Sequence, residues 1–372
     1  MKAIGIILAG GNNDGRLGAL TDHRAAAALP VGSCYRAIDF TLSNMSSSGV
    51  GKVAALTQYN SRSLRDHLMS SKWWDFGRKQ GGLFVFTPYT SKEGSTWFRG
   101  TADAIHQNMT FLKRSNEEYV VITSGDSIYK MDYSKVIKEH AAKGADITVV
   151  YKNMAGKDLT KFGVVEVDAE GKLVGFEEKP AQPKAETASL GIYVISRTLL
   201  IDLLDKAIPE GKFDLVKDII IASIGTLKVC GYEYNGYWSA IGTGTAAYFA
   251  TNMDFLDKEV RDHFVNEYPY IATKPKDEPP AKYNKGADVK DTIAGSGSIF
   301  DGKVEHCVVF RKVHVGAGAV VKNSILMEGV QIGEGCVVEN AILDKDVVLS
   351  AGQKVIGASS EEPAVVKKGT VI

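Results

Sequence analysis

Ala3-Ile4-Gly5-Ile6-Ile7-Leu8-Ala9-Gly10-Gly11 is an unbroken apolar run that ends in glycine. A strand with one face in water alternates polar and apolar residues. A run without that alternation reads as a strand buried on both faces. The glycines that stop it leave room for a ligand to approach the backbone. The same reading applies at 52–58, at 119–123, which ends in Ser124-Gly125-Asp126, and at 146–151. Helical patterns fall between, at 38–49, 63–69, 101–113 and 133–143. Alternating strands and helices give an α/β fold, with a mostly parallel sheet covered by helices on both faces. Ligands of such sheets bind at the carboxyl ends of the strands, where the glycine loop and Asp126 both lie. Residues 164–176 read as a hairpin turning at Asp168-Ala169-Glu170-Gly171, with further strands at 191–195 and 229–238 and a last helix at 245–256.

A different texture follows. Residues 268–285 carry Pro269, Pro275, Pro279 and Pro280 among charged residues and read as a linker. Beyond it, aliphatic residues recur at Val309, Val315, Val321, Leu326, Ile332, Val338, Leu343, Leu349 and Val355, in steps of five or six. Val315-Gly316-Ala317-Gly318 returns 17 residues on as Ile332-Gly333-Glu334-Gly335, and again as Leu349-Ser350-Ala351-Gly352. A step near six is neither helical nor a simple alternation. It matches a left-handed parallel β-helix of hexapeptide repeats, with three short sides per coil and the aliphatic residue pointing inward. The chain therefore divides into a first domain at 1–260, a linker at 261–290 and a β-helix at 291–372. The open ends of such a stack call for cover from another domain or subunit.

Composition narrows the partners. Lys+Arg and Asp+Glu both number 44, so the net charge is zero. That balance gives no broad electrostatic attraction to nucleic acid or to an anionic membrane. The four cysteines form no CxxC pair and read as buried small hydrophobes in a reducing compartment. With no signal peptide at the amino end and no run long enough to span a bilayer, the expected location is the cytoplasm.

Six motifs then occur in one order. Ile7-Leu8-Ala9-Gly10-Gly11 with Arg16-Leu17 and Leu20-Thr21 resembles the LAGGxGTRLxPLT signature of sugar-phosphate nucleotidyltransferases. Tyr35-Arg36-Ala37-Ile38-Asp39-Phe40-Thr41-Leu42-Ser43-Asn44 resembles YRIIDFALSN, and Trp97-Phe98-Arg99-Gly100-Thr101-Ala102-Asp103-Ala104 resembles WYRGTADA. Ser124-Gly125-Asp126-Ser127-Ile128-Tyr129-Lys130-Met131-Asp132-Tyr133 resembles SGDHIYKMDY. Phe176-Glu177-Glu178-Lys179-Pro180 and Ser189-Leu190-Gly191-Ile192-Tyr193 resemble FxEKP and SMGIY. Together with the β-helix they make nearly the whole chain similar to the bacterial ADP-glucose pyrophosphorylases, the glucose-1-phosphate adenylyltransferases. The resemblance implies a Rossmann-like nucleotidyltransferase domain. It also implies a reaction in which the phosphate of glucose 1-phosphate attacks the α-phosphorus of ATP. Catalysis of that kind is mostly positioning and neutralisation of charge.

The resemblance also assigns residues. Asp126 matches one of two aspartates that hold Mg²⁺, and Arg16 matches the loop arginine on the triphosphate. Gly10, Gly11, Trp97, Gly125, Glu178, Lys179, Ser189 and Gly191 are implied as substrate-binding residues, with Trp97 near the nucleotide and Glu178 and Lys179 in the sugar-phosphate segment.

Several departures converge on the nucleotide's phosphates. The loop Gly10-Gly11-Asn12-Asn13-Asp14-Gly15-Arg16 is one residue longer than usual and carries an acid, which repels a triphosphate. Ala26 stands where the family has its phosphate-binding Lys, with Ala27 for the following Pro, and Ala240 stands at the second metal Asp. Cys34 replaces a Lys, and Phe98 a Tyr. The Mg²⁺ site is thus expected to be incomplete, with Asp126 its one ligand. This pattern resembles the D-type regulatory subunit of glycogen synthesis. It implies a catalytic ADP-glucose pyrophosphorylase subunit as partner in a heterotetramer, with glucose 1-phosphate still a candidate ligand. Two alternatives stand beside it. One is a working enzyme in which Asp103 or Asp218 replaces the missing carboxylate. The other is a sugar-phosphate-sensing or assembly protein without enzymatic activity.

Overall fold

The computed structural model of the chain describes all residues except 12–14, 78–80, 92–93 and 96. Asn12, Asn13 and Asp14 of the glycine loop lie outside the described residues. The first domain is built on a nine-stranded sheet. Its parallel centre comprises β1 (Ala3–Leu8), β2 (Lys52–Leu56), β3 (Gly82–Phe86) and β4 (Tyr119–Ser124), in the spatial order β4-β1-β2-β3. β5 (Ile147–Asn153), the hairpin β6 (Gly163–Val167) and β7 (Leu173–Glu178), β8 (Thr187–Ser196) and β9 (Val229–Glu233) complete the sheet. β8 runs antiparallel to β4, β5 and β6, so the sheet is parallel at its centre and mixed beyond it.

β1 shows why an unbroken apolar run was needed. Ala3, Ile7 and Ala9 enter one core, with Ile38, Leu42 and Met45 of α1 (Ala37–Ser47). Ile4 and Ile6 enter a second core on the opposite face, with Ala102, Ile105 and Leu112. Each face is sealed by helices, so neither set of side chains meets water.

Three local expectations change. The helix expected at 101–113 divides at Asn108 into Thr101–Gln107 and Met109–Lys113. The Asn108 side-chain amide donates to the Ala104 carbonyl at 2.8 Å, taking the acceptor that the helical ladder uses. The strand expected at 229–238 is two: β9, and β10 (Trp238–Ala240) in a separate two-stranded ladder with Ser127–Tyr129. The linker expected from 261 instead begins in an ordered helix, Lys258–Val265, capped by Asp257, whose carboxylate accepts from the Glu259 and Val260 N–H groups.

The second domain is the expected parallel β-helix, and its first paired strand is Lys282–Tyr283. One side stacks Lys282–Tyr283, Ile299–Phe300, His314–Val315, Gln331–Ile332 and Val348–Leu349 in parallel register. The other two sides come from strands such as Lys303–Val309 and Val320–Leu326, which turn a corner midway. Those corners fall at Asp291, His306, Asn323 and Asn340, all with positive φ. Val309, Val315, Val321, Leu326, Ile332, Val338, Leu343 and Leu349 are buried in the prism. At Gly333 a Cβ would lie 2.7 Å from the backbone of Leu349 and Ala351 in the next coil. Gly333→Ala is therefore expected to cost about 1–3 kcal/mol in urea unfolding. A loss within error of zero would show that the coils can part without penalty.

A third core joins the domains. Leu29, Val31, Phe40, Phe255 and Phe264 of the first pack with Val308, Phe310, Ile325, Met327 and Ile342 of the second. No described helix is long and apolar enough to cross a membrane.

Candidate active site

The parallel pairing of β1 with β4 sets Leu8 beside Ser124, so the glycine loop and Asp126 emerge together at the carboxyl ends. The Gly125 N–H donates to the Leu8 carbonyl at 3.0 Å. Close packing explains both glycine positions. A Cβ at Gly10 would meet the Gln58 backbone at 3.1 Å, and one at Gly125 would meet Ala27 at 3.2 Å. Beneath Asp126 lies a buried polar network. Thr41 Oγ1 donates to the Ser124 carbonyl, Thr123 and Tyr129 share a hydroxyl bond at 2.8 Å, and Asn44 donates to the Tyr129 carbonyl. Burial pushes the Tyr129 and Tyr133 phenols up, so they serve as neutral bonding groups.

These elements frame a cleft with two lobes. The larger, of about 640 Å³, is lined by Gly10, Gly11, Arg16, Ala26, Ala27 and Asp126, and by Lys179 and Gly191 on the far side. The smaller, of about 280 Å³, shares Arg16, Asp126, Lys179 and Gly191 and adds Lys161, Glu178, Ser189, Trp238 and Ala240. Gly125 is buried behind the turn. Trp97 does not line either lobe. It is 60% exposed and stacks on Tyr59, which does line the cleft, with ring centroids 5.6 Å apart.

Lys179 holds a left-handed backbone, φ 50°, which costs a residue with a side chain roughly 1 kcal/mol or more. Its N–H donates to the Phe162 carbonyl at 3.0 Å, and its Nζ lies 3.3 Å from Glu178. The hairpin pairs Gly163 with Glu178, which sets Lys161 beside this segment. Lys161 has no motif of its own in the sequence; only the hairpin register points to it. Asp214 was also missed. It lines the larger lobe while capping the Leu215–Ile221 helix through the Lys217 N–H.

The charge balance of the cleft is nearly even. Among the described residues, Arg16, Arg99, Lys161 and Lys179 face Asp126, Glu178 and Asp214. Arg99 is engaged by Asp103, at 2.8 Å.

Across from Asp126, Ala240 stands where a second metal aspartate was expected. Ladder pairing of Ala240 with Ser127 brings a methyl group beside Asp126, and the Ile241 N–H donates to the Asp126 carbonyl. The Asp126 carboxylate itself accepts from the Ser124 hydroxyl. Among the described residues, no group of three or more His, Cys, Asp or Glu side chains is placed to hold a metal. Asp103 and Asp218, the carboxylates considered as a second ligand, do not line the cleft. Asp103 is 1% exposed and accepts from the Arg99 backbone and side chain and from Gln107. Burial disfavours its charge, but those donors outweigh the burial and hold its carboxyl below the usual range. Asp218 accepts from the Asp214 N–H at 2.8 Å.

Comparison with known proteins agrees with this geometry. A nucleotidyl transferase family model matches residues 4–258, and a GlmU-like C-terminal hexapeptide model matches residues 279–370. The glucose-1-phosphate adenylyltransferase of Clostridium perfringens (strain SM101 / Type A) is 39% identical over 331 residues, covering 88% of this chain and 84% of that protein. The enzyme of the same name from Bacillus cytotoxicus is 39% identical over 333 residues, covering 88% and 87%, and that from Geobacillus stearothermophilus is 38% identical over 325 residues, covering 86% and 83%. The chain belongs to the glucose-1-phosphate adenylyltransferase family. This family member has the Ser124-Gly125-Asp126 turn at the end of its parallel sheet and alanine at positions 26 and 240 in the walls of its cleft.

Proposed function

We propose that this chain is an accessory, regulatory subunit of a glucose-1-phosphate adenylyltransferase assembly in glycogen synthesis, with weak or no ADP-glucose formation of its own. The observation that carries the reading is the pair of alanines, Ala26 and Ala240, lining the cleft where the resembled enzymes have a lysine and an aspartate. Transfer to the α-phosphorus concentrates negative charge on the departing pyrophosphate. Without that lysine, and with Ala240 in place of a second carboxylate to hold Mg²⁺, the cleft offers that charge little stabilisation, because neutralisation requires groups already in place. A sugar phosphate carries less charge than a triphosphate, and the Lys161, Glu178, Lys179 and Ser189 lobe suits it. The partner is a catalytic subunit of the same family, joined in a heterotetramer.

Three assays run side by side test this: the chain alone, the catalytic partner alone, and the two mixed. Little turnover from the chain alone is expected, with a changed KM or kcat in the mixture. Robust ADP-glucose formation by the chain alone would falsify the accessory role. Failure to form a mixed complex would favour a sensing protein that acts without that partner. In the chain alone, Lys179→Ala is expected to weaken glucose 1-phosphate binding by about 10- to 100-fold, the value of one hydrogen bond to a charged group. Unchanged affinity in calorimetric titration would place the sugar phosphate elsewhere.

A further inference from the structure

One wall of the cleft is a turn with no polar side chain of its own. Residues 24–30 read Arg-Ala-Ala-Ala-Ala-Leu-Pro, and Ala26–Ala28 form a single 3₁₀ turn. Ala26 and Ala27 face the larger lobe. An alanine turn has no side chain that can fix its position by hydrogen bonding, so its anchors must lie at its ends and behind it.

The downstream end is tied within the first domain, where the Tyr248 hydroxyl donates to the Pro30 carbonyl at 2.7 Å. The upstream end is tied to both domains: in the first, the Ala25 N–H donates to the Asn60 carbonyl at 3.2 Å, and Arg24 reaches the second. One guanidinium nitrogen of Arg24, Nη2, donates to both carboxylate oxygens of Asp344, at 2.7 and 3.0 Å. The two side chains are 5% and 1% exposed. Asp344 is itself fixed, since its Oδ1 accepts the Lys345 N–H at 2.6 Å. Arg24 Nη1 also reaches the Met327 sulfur at 3.5 Å. Behind the turn, Ala26 and Leu29 share a core with Met327 and Ile342 of the β-helix. The β-helix is therefore the backing of this wall, and Arg24–Asp344 is the polar pin through it.

We infer that Asp344 is a positioning residue of the cleft: from the β-helix it holds, through Arg24, the alanine turn that shapes the phosphate-facing wall. A buried pair that served only as glue between domains would be replaceable by apolar side chains of similar size without further effect. A positioning pair is not, because directional bonds fix where the backbone of residues 25–29 sits. The inference concerns the wall itself and does not depend on turnover.

The deciding experiment uses the full chain carrying Arg24→Met and Asp344→Leu together, with Asp344→Asn as the companion single variant. Thermal unfolding of the double variant is expected within a few degrees of the wild type. Amide hydrogen exchange at Ala28 and Leu29, which donate to the Ala25 and Ala26 carbonyls, is expected to accelerate at least about tenfold. Glucose 1-phosphate affinity is expected to stay near the wild-type value, because the turn lines the larger lobe and not the Lys161–Lys179 lobe. Wild-type exchange at these two amides in the double variant overturns the inference and leaves the pair as interdomain glue. Should Asp344→Asn fail to fold, the double variant decides alone. A wild-type chain that binds no glucose 1-phosphate counts against the proposed sugar-phosphate lobe, while the exchange rates still judge Asp344.

Discussion

Restoring charge to the cleft by Ala26→Lys and Ala240→Asp together is expected to raise ADP-glucose formation by the lone chain by about a thousandfold, within a range of roughly 10²–10⁴. One preorganised group that stabilises transition-state charge is worth about 10²–10³ in rate. The lysine is such a group, whereas the aspartate would act only through a Mg²⁺ that it helps Asp126 to hold, and two effects on one developing charge are not fully additive. Both substitutions have room. Ala26 opens onto the 640 Å³ lobe and onto an adjoining cavity of about 330 Å³ lined by Gly11, Gly15 and Thr21. Ala240 opens onto the lobe that holds Asp126. A lysine at 26 can therefore extend its ammonium into solvent-filled space, with its stem along the wall. An aspartate at 240 places a second carboxylate beside Asp126. At least one of the single variants is expected to gain more than half of the combined effect on a logarithmic scale, as less-than-additive effects require. Adding Asp126→Ala to the pair is expected to remove most of the gain. If the paired variant folds, binds both substrates and still turns over at the parental rate, the deficit lies elsewhere, and the accessory reading loses its physical basis.

How far this could be read without coordinates varied by element. β1 was legible because a strand buried on both faces must be apolar throughout, and the glycine stop marks its carboxyl end. The β-helix was legible because each coil repeats one inward aliphatic residue per side, so its period survives in the sequence. The alanines at 26 and 240 were legible only through resemblance, since nothing in a lone alanine signals a missing charge. Lys161 and Asp214 were not legible. Lys161 comes to the cleft through hairpin register with Glu178, a pairing set by the turn and not by a motif. Asp214 reads locally as a helix cap, which it also is. The Arg24–Asp344 pair joins residues 320 positions apart, and a balanced charge composition hides such pairs among many others. The proline-rich stretch drew attention away from Lys258–Val265, whose polar surface resembles a linker while one residue, Phe264, is fully buried.

That residue carries the last expectation. Phe264→Ala should cost about 3–5 kcal/mol, the range for removing a fully buried aromatic side chain. Its ring meets Phe40 edge-on at 5.1 Å, stacks against Phe255 at 5.5 Å and meets Tyr237 edge-on at 5.4 Å. Relief by collapse is limited, because Phe255 is already pressed against Gly32, where a Cβ would lie 2.8 Å from its ring. Phe40 sits in α1 beneath the cleft, and the same core includes Phe310 and Met327 of the β-helix. Loss of the ring therefore opens a void where both domains meet. Phe264→Leu, which keeps most of the volume, should cost less than about 1.5 kcal/mol. Val265→Ala next to it, at a 40% exposed site, should change stability little. Urea unfolding of the three variants separates the outcomes. If Phe264→Ala costs no more than Val265→Ala, then Lys258–Val265 is a surface helix resting on the core, and the contact between domains must be held by the β-helix side and its ion pairs instead.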